Sequence, residues 1–170
     1  MNKPFTSEYN PYFQKYIDLV PSEEYLENFN ANTTDVIAFF ENIPLAKHNY
    51  KYEPNKWSIK QVLMHIIDTE RVFAYRLLVI LRKDETTVLQ PYDDDLYASN
   101  VNVDNREMSD ILEEFQLVRK NTAFLLKEAD ENQSQLTAKI DQNPISVRAI
   151  AYILLGHAKH HLSVITERYL

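Results

Sequence analysis

Val147-Arg148-Ala149-Ile150-Ala151-Tyr152, followed shortly by Gly156-His157-Ala158-Lys159-His160-His161, is the stretch on which the fold turns. Within it Val147, Ile150, Leu154, His157, His161 and Val164 recur at 3-4-3-4-3 spacing, which marks one buried stripe along a helix. His157 and His161 continue that stripe and project from one face, a turn apart. His160 lies about 100° away and leaves it. Ser146 is placed to cap this helix, with Ile145 and Ile150 able to close a hydrophobic staple across the cap. Gly156 is the only glycine in the chain. A mid-helix glycine costs roughly 1 kcal/mol against alanine, a cost that close approach of a backbone or a ligand would explain.

A histidine pair at i, i+4 admits two readings. The rings are core-edge histidines satisfied by a Tyr, a Glu or a carbonyl, or they hold one metal ion together. A metal needs a third ligand from elsewhere in the chain. His65 is the candidate if its own helix packs beside this one.

That helix announces its start. Ser58 and Gln61 form a capping box, and Trp57 with Val62 can staple across it. The pattern predicts a helix from about Ile59 to Arg82. Its apolar arc is unusually wide, including Leu63, Ile66, Ile67, Phe73, Leu77, Leu78, Ile80 and Leu81. Such breadth predicts cover on two sides, by its own bundle and by a second subunit in a homodimer. His65 falls about 130° from the centre of the arc. Glu70 falls near the centre, where an unpaired carboxylate is costly. It is either a buried partner of Arg71, Arg76 or a Tyr hydroxyl, or it orients a ligand histidine or takes a proton near a metal.

Two more helices complete the pattern. Ser22 with Glu23 and Glu24 suits a helix start, and Leu26, Phe29, Thr33, Val36, Phe40 and Ile43 form the first stripe, ended by Pro44. Ser109 suits the cap of the third helix, whose stripe is Met108, Ile111, Phe115, Val118, Thr122, Leu125 and Ala129. Residues 1–21 are aromatic and proline-punctuated, an arm lying against the body. His48, in the 44–57 connection, reads as a surface histidine. Residues 83–107 form a polar connection long enough to join helices that are not antiparallel neighbours. Its Asp93–Asp95 run reads as a solvated loop, since no calcium-loop spacing accompanies it. Residues 130–144 read as a polar loop. The whole is an all-α four-helix bundle in a single domain, 1–170.

The totals exclude several classes. A formal charge of −7 and a pI near 5.2 argue against a nucleic-acid partner, which requires clustered Lys and Arg. The chain has no cysteine, which removes disulfides, thiolate ligands and cysteine nucleophiles. No apolar run resembles a signal peptide or a membrane span. The expectation is a soluble, cytoplasmic protein with no membrane partner.

The segment Lys56-Trp57-Ser58-Ile59-Lys60-Gln61-Val62-Leu63-Met64-His65-Ile66-Ile67-Asp68-Thr69-Glu70-Arg71, taken with the Val147–His161 stretch, resembles the DinB/YfiT-like superfamily of metal-binding four-helix bundles. The resemblance covers nearly the whole chain. It implies an up-down-down-up bundle with the long crossover between the second and third helices. It also implies a metal triad of one histidine from the second helix and an i, i+4 pair from the fourth, which here are His65, His157 and His161. Three neutral imidazoles leave a divalent ion with its full charge and open positions. Zinc or nickel comes foremost, and iron or manganese also fits. The activity implied is that of a metal-dependent hydrolase or a low-molecular-weight thiol S-transferase acting on a small molecule, with Glu70 or Asp68 beside the metal. The alternative is a non-catalytic, stress-related metal-binding or dimerisation module.

Overall fold

Ser58 starts the longest helix through the capping box that its sequence suggests. Its hydroxyl accepts from the Gln61 amide at 3.2 Å, and its own amide donates to Gln61 Oε1 at 2.8 Å. This is α3 (Ile59–Leu81), one of four long helices with α2 (Tyr25–Glu41), α5 (Met108–Lys127) and α7 (Val147–Arg168). Short helices α1 (Gln14–Ile17), α4 (Asp94–Asn100) and α6 (Glu131–Ser134), with strands β1 (Thr137–Ile140) and β2 (Asn143–Ser146), fill the connections. The computed structural model describes residues 1–21 and 25–170, with the backbone alone at 25–27. The expected Ser22 cap, its two glutamates and the Leu26 side chain lie outside the described residues.

Charged pairs along the helices give their directions. Arg71 of α3 meets Glu114 of α5 at 2.5 Å, and Arg82 meets Glu128 at 3.7 Å. Both sequences advance together, so α3 and α5 run parallel. Against α7 the order reverses, because His65 meets His157 while Phe73 shares a cleft with Ile153. Helix α2 packs on α5 and α7, and α3 packs on the same two. Sequence neighbours α2 and α3 therefore stand across a diagonal, and the bundle is up-down-down-up. Helix α4 also covers α3. The wide apolar arc of α3 is thus met on three sides within one chain, with Leu78 of that arc left exposed.

Two buried clusters fill the bundle, one around Phe73, Leu77 and α7 residues 147–155, the other around α3 residues 59–67, Phe115 and Ile165. Between them lies a polar layer. Glu70 is 1% exposed and sits 2.9 Å from Arg119 Nε, and Arg119 also donates to Asn32 Oδ1 at 3.0 Å. In α5 the buried stripe passes through Arg119, Thr122 and Leu126 instead of Val118 and Leu125, because a 3.6-residue turn drifts away from strict 3-4 spacing. Helix α5 also starts one residue before the expected Ser109 cap, since Met108 must already be helical to reach the core.

The connections hold more structure than their polarity suggests. The 130–144 loop contains α6 and a two-residue-turn hairpin in the register Thr137↔Ser146 to Ile140↔Asn143. Asp141 takes the left-handed conformation at φ 54°, which Asp tolerates better than most residues. In the 83–107 connection Asp93 accepts from the Leu96 amide at 2.9 Å and caps α4. The acidic run is a helix start rather than a loop.

The N-terminal arm is part of the core, with Tyr9, Tyr16, Ile17 and Val20 buried. It reaches α7 at two points. Glu8 accepts from Arg148 Nε at 2.8 Å, from a second Arg148 nitrogen and from the Ser146 hydroxyl at 2.7 Å. Ser146 in turn accepts from the Ala149 amide at 3.0 Å, so the arm braces the cap of α7. At the second point Tyr16 lies against Gly156, where an added Cβ would stand 1.9 Å from the Tyr16 carbonyl oxygen. A side chain there collides with backbone. The glycine is required by close approach.

Gly156→Ala should therefore lower stability although alanine is the better helix former. An overlap with backbone costs about 1–3 kcal/mol and outweighs the roughly 1 kcal/mol of propensity. A thermal melt should show a lower midpoint, and a midpoint that rises would mean the arm does not sit there. Glu8 supplies a pH test. Burial pushes its carboxyl up, but the bonds from Arg148, Ser146 and the Phe5 amide outweigh that and hold its pKa below the ordinary carboxylate value. A depressed folded pKa contributes stability above the unfolded value of about 4.3, and the contribution is lost as pH falls through the folded value. Glu8→Gln should cost on the order of 3 kcal/mol at neutral pH, and the gap in urea denaturation should close below about pH 4. A gap that stays constant with pH would contradict an ionised Glu8–Arg148 pair.

Candidate metal centre

His65 comes from α3 and His157 and His161 from adjacent turns of α7, and their ring nitrogens converge. Nε2 of His157 lies 2.9 Å from Nε2 of His65 and 3.0 Å from Nε2 of His161. Among the described residues these three are the group of His, Cys, Asp and Glu side chains able to hold a metal ion, with candidate atoms within 4.8 Å of one another. His65 and His157 are buried and His161 is half-buried.

Surrounding rings fix the imidazoles. Trp57 lies with its ring centroid 4.6 Å from that of His65 and 6.4 Å from that of His161. Beyond packing at the start of α3, it covers the trio. Tyr16 stands edge-on to His157 at 5.3 Å and to His160 at 5.4 Å. His160 is turned to Tyr16 and stays outside the converging group.

Electrostatics favour neutral rings. Burial lowers His65 to about 4, with Asp94 pulling the other way. Burial, reinforced by the neighbouring histidines, holds His157 and His161 well below the ordinary value. A neutral imidazole carries one proton on two nitrogens. His157 Nε2 can share a proton with one neighbour, so its contact with the other calls for a second proton or brings two lone pairs together. A cation resolves this by accepting all three lone pairs, and nitrogens bound to one ion at about 2.1 Å stand about 3.0–3.4 Å apart, for right-angled to tetrahedral coordination. The donor set fits a divalent ion.

His65 and His157 of the trio line a cleft of about 320 Å³. Helix α3 contributes His65, Thr69, Phe73 and Arg76 to its wall, and the crossover contributes Tyr92 and Asp94. The Thr69 and Tyr92 hydroxyls meet at 2.6 Å and tie crossover to helix. Phe13 and Tyr16 of the N-terminal segment form the facing wall.

The two carboxylates singled out on α3 do not join the histidines. Glu70 lies about 140° round the helix from His65 and pairs with Arg119, and burial pushes its carboxyl up against that arginine's pull. Asp68 pairs with Arg71 at 3.1 Å. His48 is half-buried rather than at the surface, its Nε2 3.0 Å from the Ile43 carbonyl just beyond α2. Two other carboxylates reach the cleft, Asp141 from the hairpin turn and Asp94, carried in by α4. The signal for Asp94 was the Asp93 cap preceding Leu96, a helix start inside an acidic run. Arg76 and Tyr92 had no comparable signal, because their proximity depends on how the crossover lies.

A solved structure of YfiT from Bacillus subtilis, described as a probable metal-dependent hydrolase with an unusual four-helix bundle topology, superposes with a TM-score of 0.70 at 21% identity. The match covers 97% of this chain and 90% of that one. At that identity the likeness establishes the bundle. A comparison with curated proteins gives no match. The family model described as the DinB superfamily matches residues 28–165, well over half of the chain. The chain belongs to the DinB superfamily.

Proposed function

We propose that His65, His157 and His161 hold a divalent metal ion and that the chain is a metal-dependent hydrolase acting on a small molecule in the adjoining cleft. The observation that carries the reading is the convergence of three neutral imidazoles, two of them lining an open cleft, with no protein carboxylate closing the group. The description of YfiT as a probable metal-dependent hydrolase on the same bundle points the same way. A divalent ion in such a site supplies Lewis acidity and brings a bound water, or a bound low-molecular-weight thiol, towards deprotonation near neutral pH.

The chain's own residues divide the remaining work. Trp57 and Tyr16 keep the imidazoles oriented and limit water at their backs. Asp94, which lines the same cleft as His65, would take a proton from the nucleophile. Phe13, Phe73 and Tyr92 offer an apolar wall to the body of a substrate. With a thiol in place of water the same centre would serve S-transfer.

Metal analysis of the purified protein is expected to give one divalent ion per chain, lost in His65→Ala and in His161→Ala. Glu70→Gln should keep the ion while losing about 3–5 kcal/mol of stability, because it unpairs a buried Arg119. Stripping the metal should abolish turnover of small esters or amides, or of a thiol with an electrophile, and adding it back should restore it. Equal metal in His161→Ala and wild type would refute the ligand set. Full metal with no turnover of any such substrate would leave a structural metal module instead.

A further inference from the structure

Three arginines are almost wholly buried: Arg76, Arg119 and Arg148, at 4%, 2% and 3% exposure. Two of them have a buried carboxylate, Glu70 for Arg119 and Glu8 for Arg148. Arg76 pairs with no carboxylate among the described residues. Its guanidinium donates to the Gln90 carbonyl at 2.7 Å and lies over the Phe73 and Tyr92 rings, 4.7 and 5.8 Å from their centroids. A neutral carbonyl satisfies one N–H of five and none of the charge. A buried cation without a counter-ion is costly, and anchoring a crossover to one carbonyl would not need a charge at all. The same side chain lines the cleft next to the histidines.

Helix geometry aims it there. Arg76 follows His65 by 11 positions, about three turns and 20°, so the two lie on one face with their Cα atoms roughly 16 Å apart along the axis. Thr69 and Phe73 fall between them on that face. Long helical side chains lean towards the N-terminus, so Arg76 reaches back along the cleft towards His65.

We propose that Arg76 binds a carboxylate of the molecule that occupies the cleft, leaving the opposite end of that molecule at the histidine trio. The assignment of the far end rests on the metal-centre reading above, while the Arg76 site does not. One guanidinium fork matches one planar carboxylate in charge and shape. Phosphate is the poorer match, because Asp94 and Asp141 line the same cleft and oppose a dianion. The aromatic walls suit an apolar body between the two ends.

Titration calorimetry with phenylacetate, phenylacetamide and inorganic phosphate tests this, on metal-loaded and chelator-stripped protein. Wild type should bind phenylacetate at least about tenfold more tightly than phenylacetamide, the value of one charged hydrogen-bonded contact. The preference should survive metal removal, and Arg76→Gln should abolish it without changing metal content. Arg76→Lys keeps the charge without the fork and should retain only part of it. If Arg76→Gln fails to fold, the wild type still decides: phenylacetate should shift the Arg76 Nε–Hε NMR resonance and phenylacetamide should not. No shift would overturn the site. A preference that disappears with the metal and persists in Arg76→Gln would place the carboxylate on the ion and overturn it as well. Phosphate binding more tightly than phenylacetate would overturn the ligand class. Failure of the metal reading, with equal metal in His161→Ala and wild type, would leave the Arg76 dependence intact, so the two failures are separable.

Discussion

Polar groups in the middle of a helical bundle must find partners there, because water does not reach them and an unmet donor or charge costs more than most single contacts return. Helix α3 meets this demand twice, at positions roughly 7.5 Å apart along its axis. Glu70 turns towards α5 and meets Arg119 and, through it, Asn32 of α2. His65 turns towards α7 and meets His157 and His161. Together they divide the apolar core into its two clusters. The pairing fixes the height of α3 against both neighbours, since a slip of one turn would strand a carboxylate and an imidazole in hydrocarbon. The register that satisfies Glu70 is the one that assembles the histidines.

The N-terminal segment depends on the same register. Tyr16 reaches Gly156 one residue before His157, and its ring stands against that histidine's edge. Glu8 ties the same segment to Arg148 and Ser146 at the start of α7. These contacts hold one wall of the cleft in place from both ends. A side chain at 156 would push the segment away from the imidazole that it orients, so the helix penalty of glycine is offset by the wall it admits.

The sequence made most of this legible where the signal is local. The Ser58–Gln61 box and the Ser146 cap are read within one turn, and the structure has them where the spacing puts them, whereas the stripe of α5 drifts to Arg119 and Leu126 over its length. The histidines were legible because three rings of one chemistry stood out against an apolar pattern. Arg76, Tyr92 and Asp94 were not, because their meeting depends on the path of a connection whose own residues carry no periodicity. The hairpin at 137–146 was hidden for another reason: its strands span four residues each and its turn uses Asp141 where glycine would have advertised it. Glu70 shows the limit of wheel arguments, which place a residue on a face without naming what the face meets.

Topology explains why the crossover became part of the site. Parallel α3 and α5 oblige the chain to return along the bundle after α3, a distance of about 34 Å for its 23 residues. An antiparallel pair could be joined by a few residues at one end. The 83–107 segment is far longer than the return requires, and α4 takes up part of the slack. A return path along α3 must run past whatever α3 leaves open, and the face it leaves open is that of His65, Thr69, Phe73 and Arg76. Gln90 anchors the path to Arg76 and Tyr92 anchors it to Thr69, which carries Asp94 to the cleft as well. The up-down-down-up order thus places a polar connection beside a site built on helices. Changes of residue at 90–94 can alter what the cleft accepts without disturbing the helices that position the histidines.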